Sequence, residues 1–282
     1  MVLQLSFEFF PPRSDAGLAT IPSIANQFVE YQPDFFSVTF GAGGSTQQKT
    51  LETVQAVRHA TSIDTAPHIS CIGATHAGIR EMILNYKQLG INRLVALRGD
   101  VPSGTHNDGE FRHANELVKF IREETGSHFH ISVGAYPEYH PQAKNPDADF
   151  NYFKQKVNTG ADMAISQYFF NPDAYFEFCD NCITAGITTP IIPGIMPLTN
   201  YQQIARFSDT CGAELPKWIR QKLAYYDTKG DNMGLQEFGE HVVTQLCETL
   251  INNGVPGLHF YTLNKFEPTH HILQNLSLSV NS

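Results

Sequence analysis

Phe35-Phe36-Ser37-Val38-Thr39-Phe40, then Gly41-Ala42-Gly43-Gly44, then TQQKTLETVQAVRHAT over residues 46–61, then Pro67-His68-Ile69-Ser70-Cys71-Ile72: on this stretch the reading of the fold turns. The first and last pieces are short and rich in aromatic and β-branched residues, as strands are. The middle piece carries apolar residues at helical spacing. Strand, turn, helix, strand is the unit that joins two parallel strands through a crossover helix. The unit repeats. Strand-like runs fall at residues 4–10, 34–40, 67–72, 93–98, 130–136, 163–169, 190–195 and 258–263, and helical spacing at 46–61, 76–89, 113–124, 149–159, 172–185, 201–209 and 235–252. Eight such units with no break in composition favour an α/β fold of the closed (β/α)8 barrel type; an open doubly wound sheet is the alternative. Such barrels commonly take about 250 residues as one unit, so the 282 residues are expected to form a single domain.

The chain holds 28 Asp and Glu against 19 Lys and Arg, a net charge of -9, with no basic cluster. Neither a nucleic acid backbone nor an anionic membrane surface is an expected partner. No basic segment leads into an apolar run at the N-terminus, and no stretch approaches the roughly 18 apolar residues of a membrane span, so the chain reads as soluble and cytoplasmic. Cys71, Cys179, Cys182, Cys211 and Cys247 are an odd, scattered set, read as reduced thiols. The CxxC spacing of Cys179 and Cys182 has no second pair and lies in a helical stretch. The twelve histidines show no tight ligand spacing, and no metal site is expected.

Barrel enzymes build their sites at the C-terminal ends of the strands. The first strand ends as Leu5-Ser6-Phe7-Glu8-Phe9-Phe10-Pro11-Pro12-Arg13. Ser6, Glu8 and Phe10 share one face, and Phe7 and Phe9 the other. A carboxylate among rings and away from water is expected to have a raised pKa and to serve as a general acid; a solvated Glu on an edge strand is the ordinary alternative. The other strand ends offer Thr39 with Gly41–Gly44, Arg98-Gly99-Asp100, Tyr136-Pro137-Glu138, Gln167, Pro193-Gly194 and Thr262-Leu263-Asn264-Lys265. Gly and Asp are ordinary turn formers and Thr an ordinary strand residue, so it is the joint placement that points to a site. The Gly41–Gly44 loop, with Ser45 or Thr46 as a helix N-cap, could face an anion but lacks dinucleotide-fingerprint spacing. His68, inside a strand, has a hydrogen-bonded core histidine as its ordinary reading. Gln167 stands where imine-forming aldolases of this barrel type carry lysine, which argues against Schiff-base chemistry.

Phe7-Glu8-Phe9-Phe10-Pro11-Pro12-Arg13, Ser37-Val38-Thr39-Phe40-Gly41-Ala42, Ala66-Pro67-His68, Leu97-Arg98-Gly99-Asp100, Ala135-Tyr136-Pro137-Glu138, Ser166-Gln167-Tyr168-Phe169-Phe170, Ile192-Pro193-Gly194-Ile195 and His259-Phe260-Tyr261-Thr262-Leu263-Asn264 occur in that order. With them the chain resembles the methylenetetrahydrofolate reductase family, from about residue 5 to residue 265, in its short bacterial form without a C-terminal regulatory domain. The resemblance implies a (β/α)8 barrel with FAD at the strand C-termini. It implies that Glu8 is the proton donor and Asp100 the carboxylate between flavin and pterin. By the same resemblance Thr39, Phe40, His68, Leu97, Arg98, Gly99, Asp100, Ala114, Tyr136, His140, Ala143, Asp149 and Lys156 fall at FAD, and Gln167, Gln203, Phe207 and Lys265 at folate or the nicotinamide nucleotide. Three positions depart from the family: Lys265 stands where some relatives have Arg, and Tyr152 and Gln155 replace polar or basic residues. Lysine cannot reproduce bidentate recognition of a carboxylate, so contact with a glutamate tail is expected to differ.

The resemblance also implies the reaction. Hydride from NADH or NADPH reaches the flavin and then the one-carbon unit of 5,10-methylenetetrahydrofolate, which accepts it only after a C–N bond opens to an iminium. Protonation of the departing nitrogen calls for an acid, and 5-methyltetrahydrofolate is the product. Ping-pong use of one flavin face and a homo-oligomeric enzyme are expected. A different flavin-dependent barrel, of the proline or amine oxidoreductase type, a metal-free lyase, and a non-catalytic barrel are the alternatives. Nothing in the sequence separates NADH from NADPH, because the ribose-recognition rule belongs to another fold.

Overall fold

The computed structural model describes residues 3–40, 46–99 and 109–278. Strand β1 (Gln4–Phe9) pairs on one side with β2 (Phe35–Val38), and the ladder continues through β3 (Thr65–Ser70), β4 (Arg93–Leu97), β5 (His130–Ala135) and β6 (Met163–Ser166) to β7 (Ile191–Ile192). On its other side β1 pairs with β9 (Gly257–Tyr261), which pairs with β8 (Gly194–Ile195), and every pairing is parallel. Only Pro193 separates β7 from β8. Proline has no N–H to give a ladder, but its carbonyl accepts from His259 N at 3.0 Å. The two halves act as one interrupted strand that closes the sheet, and the fold is the expected (β/α)8 barrel. Gly194 is required at the closure, where an added Cβ would lie 2.2 Å from the Ser166 carbonyl oxygen.

The helices are α1 (Asp15–Phe28), α2 (Thr46–Thr61), α3 (His76–Gln88), α4 (Ala114–Thr125), α5 (Pro146–Asn158), α6 (Pro172–Thr184), α7 (Tyr201–Cys211), α8 (Lys217–Lys229), α9 (Asn232–Asn252) and α10 (Glu267–Asn275). Three of them, α1, α8 and α10, lie outside the helical spacings read from the sequence. Pro22 sits inside α1, although Ile21, Ala25 and Phe28 give that helix a buried stripe. In α8 only Ile219 and Leu223 are buried, so its apolar period is thin. Several strands stop short of the expected ends. β6 closes at Ser166 rather than residue 169, after which Gln167 N still donates to Ala135 O at 2.7 Å.

Two apolar layers hold the barrel. Outside it, between strands and helices, Phe7 stacks on Phe28 at 4.3 Å and on Phe260 at 5.8 Å, and Phe9 packs against Phe28 and Phe36. Inside, Phe35, Ala66, Val95, Met163, Ile165 and Ile192 form a separate apolar plug. Phe35 precedes Ser37 on its strand, so the plug fills the N-terminal part of the bore. The C-terminal part is left to polar side chains.

Candidate active site

Alternation along the strands turns Ser6 and Glu8 of β1, Ser37 of β2, His68 of β3, and His259 and Tyr261 of β9 into the bore. Glu8 Oε2 lies 3.3 Å from His68 Nε2 and 3.4 Å from His259 Nε2. Ser6 Oγ is 2.8 Å from His259 Nδ1. An ionised carboxylate only accepts, so His259 Nε2 carries a proton toward it, and in the neutral ring Nδ1 then accepts from the Ser6 hydroxyl. Side-chain exposure falls from 14% at Glu8 to 7% at His68 and 0% at His259. Glu8 is therefore the member of this cluster that a ligand at the barrel mouth can touch.

Burial pushes the Glu8 carboxyl up, but the charge of His68, the hydrogen bonds of both imidazoles and the charge of His259 outweigh it and hold the group at about 2. The expected raised value is thus corrected. Phe7 and Phe9, its neighbours in sequence, stack on the other face of β1, and imidazoles are what reach the carboxylate. Tyr261 has its phenol pushed far up by burial, and its hydroxyl donates to Ser166 O at 2.7 Å. It is a neutral donor that ties β9 to β6.

The residues expected at a cofactor form a band across the ends of β4 and β5. Leu97 ends β4; Arg98 and Gly99 follow, with Gly99 at φ 84 where a Cβ would meet Ser70 Oγ at 2.0 Å. Arg98 Nη2 donates to Gln142 Oε1 and its Nε to Gly99 O at 3.1 Å, joining the loop after β4 to the loop after β5. In that second loop Tyr136 meets His140 edge to face at 4.6 Å, Ala143 N donates to His140 O at 2.8 Å, and His140 N donates to Asp149 Oδ2 at 2.9 Å. Lys156, one helical face along α5, donates to Gly134 O. Burial pushes its ammonium down to about 8, with Asp149 opposing and Arg98 adding to the fall. Ala114 opens α4, and Thr39 and Phe40 follow β2, where Thr39 N donates to Phe9 O at 2.9 Å.

The residues expected at substrate lie on other elements. Gln203 and Phe207 stand four apart on α7 and so share a face, and the Arg206 guanidinium lies 5.6 Å from the Phe207 ring centre. Tyr168, next to Gln167, is 3.1 Å from Ser208 through its hydroxyl, which fastens α7 to the end of β6. Lys265 is exposed after β9. Tyr152 stacks on His113 at 5.0 Å on the α4 side of α5. Asp100, Gly41–Gly44 and Ser45 lie outside the described residues. Ser6 and His259 have no role at the site in the sequence reading. Ser6 shares Glu8's face two residues away, but only the β1–β9 register, Ser6 opposite His259, brings the imidazole to it.

A cleft of about 710 Å³ opens beside the band, walled by Tyr136, Glu138, Asp149, Phe178 and Glu214 among others. It does not reach Glu8. Burial pushes the Glu138 carboxyl up to about 7, against the Glu214 N–H that donates to Oε2 at 2.8 Å. Among the described residues no group of three His, Cys, Asp or Glu side chains is arranged to hold a metal ion, and all five cysteines are free thiols.

A family model described as methylenetetrahydrofolate reductase matches residues 2–277. The chain belongs to the methylenetetrahydrofolate reductase family. The 5,10-methylenetetrahydrofolate reductase of Escherichia coli (strain K12) is 36% identical over 276 residues, covering 98% of this chain and 91% of the relative. A methylenetetrahydrofolate reductase from Buchnera aphidicola subsp. Acyrthosiphon pisum is 39% identical over 280 residues, covering 98% and 92%. A rice protein named probable methylenetetrahydrofolate reductase (NADH) is 36% identical over an alignment of 286 positions that covers 97% of this chain and 48% of the plant protein. Among solved structures, an uncharacterized Clostridium thermocellum protein that binds two copies of 5-methyl-5,6,7,8-tetrahydrofolic acid superposes with a TM-score of 0.65. It is 15% identical, over 98% of this chain and 95% of its own, a likeness that bears on the barrel alone.

Proposed function

We propose that this chain reduces 5,10-methylenetetrahydrofolate to 5-methyltetrahydrofolate, with FAD as resident cofactor, NADH or NADPH as hydride source and Glu8 as proton donor to the folate. The observation that carries the reading is the Glu8–His68–His259 cluster at the C-terminal end of the bore in a member of this reductase family. The residues at the strand ends fit a flavin. Gly134 turns into the bore with only Leu97, 3.5 Å away, and Tyr136, 3.9 Å away, within reach of an added Cβ. Gly134 thus adds no side chain of its own between Leu97 and Tyr136. Arg98 and Lys156 bring two cations beside it for a pyrophosphate.

The chemistry FAD supplies when bound is hydride relay, from the nicotinamide and on to the one-carbon unit, with the two substrates taking turns at one ring face. Glu8 gives a proton to the departing nitrogen of the methylene bridge, the C–N bond breaks toward that nitrogen, and the iminium carbon is left ready for hydride. His68 and His259 then hold the Glu8 carboxylate, as they do here. A bound folate removes the last exposure of Glu8, and added burial acts on this group in the raising direction. Substrate binding thus favours the protonated form of Glu8, the form that gives a proton to the folate. Phe207 offers a ring for stacking, Gln167 an amide for a ring edge, and Lys265 a single cation for an anionic tail.

Anaerobic mixing tests the reading. Each nicotinamide should bleach the flavin absorbance, and 5,10-methylenetetrahydrofolate should restore it. A flavin reduced and reoxidised only by proline or another amine substrate would replace this reading, and absence of flavin from the purified protein would remove it.

A further inference from the structure

The segment Thr262-Leu263-Asn264 does more at β1 than end a strand. β9 runs beside β1 up to the pair Glu8 and Tyr261, and then its backbone turns away. The turn uses two consecutive left-handed residues, Leu263 at φ 53 and Asn264 at φ 57. Leucine rarely adopts that conformation, and a bulky residue held there signals that its surroundings impose it. With the backbone gone, Phe10 would lose its ladder partner on this side. The Asn264 side chain replaces it: Oδ1 accepts from Phe10 N at 2.9 Å and Nδ2 donates to Phe10 O at 2.8 Å. One residue pair earlier, Thr262 N at 3.2 Å and Thr262 Oγ1 at 2.6 Å both donate to Glu8 O.

We propose that Asn264, with Thr262, is a positioning residue for Glu8, clamping the end of β1 so that the carboxylate stays between His68 and His259 and faces the substrate. The proposal rests on the reading of Glu8 as proton donor. Phe10 is 44% exposed and is followed by Pro11 and Pro12, which have no N–H, so the chain beyond it cannot extend the ladder. On the β2 side the ladder runs to the pair Phe9 and Val38, and Thr39 N donates to Phe9 O at 2.9 Å. Asn264 therefore decides whether the grip on the β9 edge, which Thr262 makes at Glu8, continues past the acid to Phe10. The same turn is closed by Lys265 N donating to Thr262 O at 3.0 Å, so it also fixes where Lys265 leaves the barrel relative to Glu8.

The test compares Asn264→Gly, Asn264→Asp and Glu8→Gln with the parent as FAD-loaded protein. Glycine keeps the left-handed backbone but removes both amide bonds; aspartate keeps the acceptor and loses the donor. Asn264→Gly should slow reoxidation of the flavin by 5,10-methylenetetrahydrofolate by about 10- to 100-fold, the scale set by misplacing a catalytic group by about an ångström. Reduction by nicotinamide should be unchanged, folate KM little moved, and the pH profile of reoxidation displaced. Asn264→Asp should fall between glycine and the parent. Parent-like reoxidation in Asn264→Gly while Glu8→Gln has lost it overturns the clamp and leaves the acid in place; equal loss of both half-reactions marks a merely structural role and also overturns it. Full reoxidation in Glu8→Gln instead sinks the acid reading on which the clamp depends.

Discussion

Glu8 carries a charge where burial opposes one, and two imidazoles make that possible. Its carboxyl falls from 4.5 to about 2 in the folded chain, so the ion contributes stability above pH 4.5 that is lost as pH drops from 4.5 toward 2. That contribution is worth roughly 3 kcal/mol. Acid unfolding followed by circular dichroism should therefore be shallower in that window for Glu8→Gln, and an unchanged acid limb would show that the imidazoles do not hold the charge. Replacing His259 with Ala removes a hydrogen bond and a charge that oppose burial, so the Glu8 carboxyl should rise; difference infrared titration of the carboxylate band reads it directly. The sequence made Glu8 conspicuous because a lone acid in an aromatic strand stands out. It hid the sign of the shift, because alternation sends Phe7 and Phe9 to the far face and the groups that matter, His68 on β3 and His259 on β9, arrive from 60 and 251 residues away.

At the scale of elements, strand ends and helix starts do the positioning. Lys156 stands on α5 with its ammonium pushed down from 10.5 to about 8, so its charge costs stability at neutral pH, and the folded chain gains stability as pH rises from 8 toward 10.5. Lys156→Met should raise the melting temperature of the flavin-free chain, flatten that alkaline rise and weaken retention of FAD; a lower melting temperature would contradict the sign. Gly194 in β8 tests the closure. Gly194→Ala drives a Cβ against the Ser166 carbonyl, and overpacking of this kind costs about 1–3 kcal/mol, readable as a drop in urea midpoint. The βαβ alternation was legible because 46–61 and its flanking strands each show one period clearly, and α2 spans those same residues. Helix α1 was not, since Pro22 interrupts a stripe that Phe28 nonetheless buries under Phe7, and α8 presents Trp218 and Tyr225 to solvent in place of an apolar period.

For the molecule as a whole, the bore divides the work. An apolar plug at the N-terminal end supplies cohesion, and the polar cluster above it would be a liability in any packed core. Ser37 Oγ is buried there without a hydrogen-bond partner. An unpaired buried polar atom is costly, and Ser37 stands opposite Glu8 in the β1–β2 register, where a ligand site explains it. The strand-end rule for barrels made this region predictable from the order of motifs alone, whereas the β1–β9 register that assembles Ser6, Glu8 and His259 exists only once the first strand pairs with the last. The most direct measurement starts from Glu8→Gln already reduced by nicotinamide under anaerobic conditions and follows flavin absorbance after addition of 5,10-methylenetetrahydrofolate. Reduction should proceed at the parent rate and reoxidation should slow by about 100-fold or more, the contribution of a positioned general acid. Reoxidation at the parent rate would contradict the assignment of Glu8 as the proton donor.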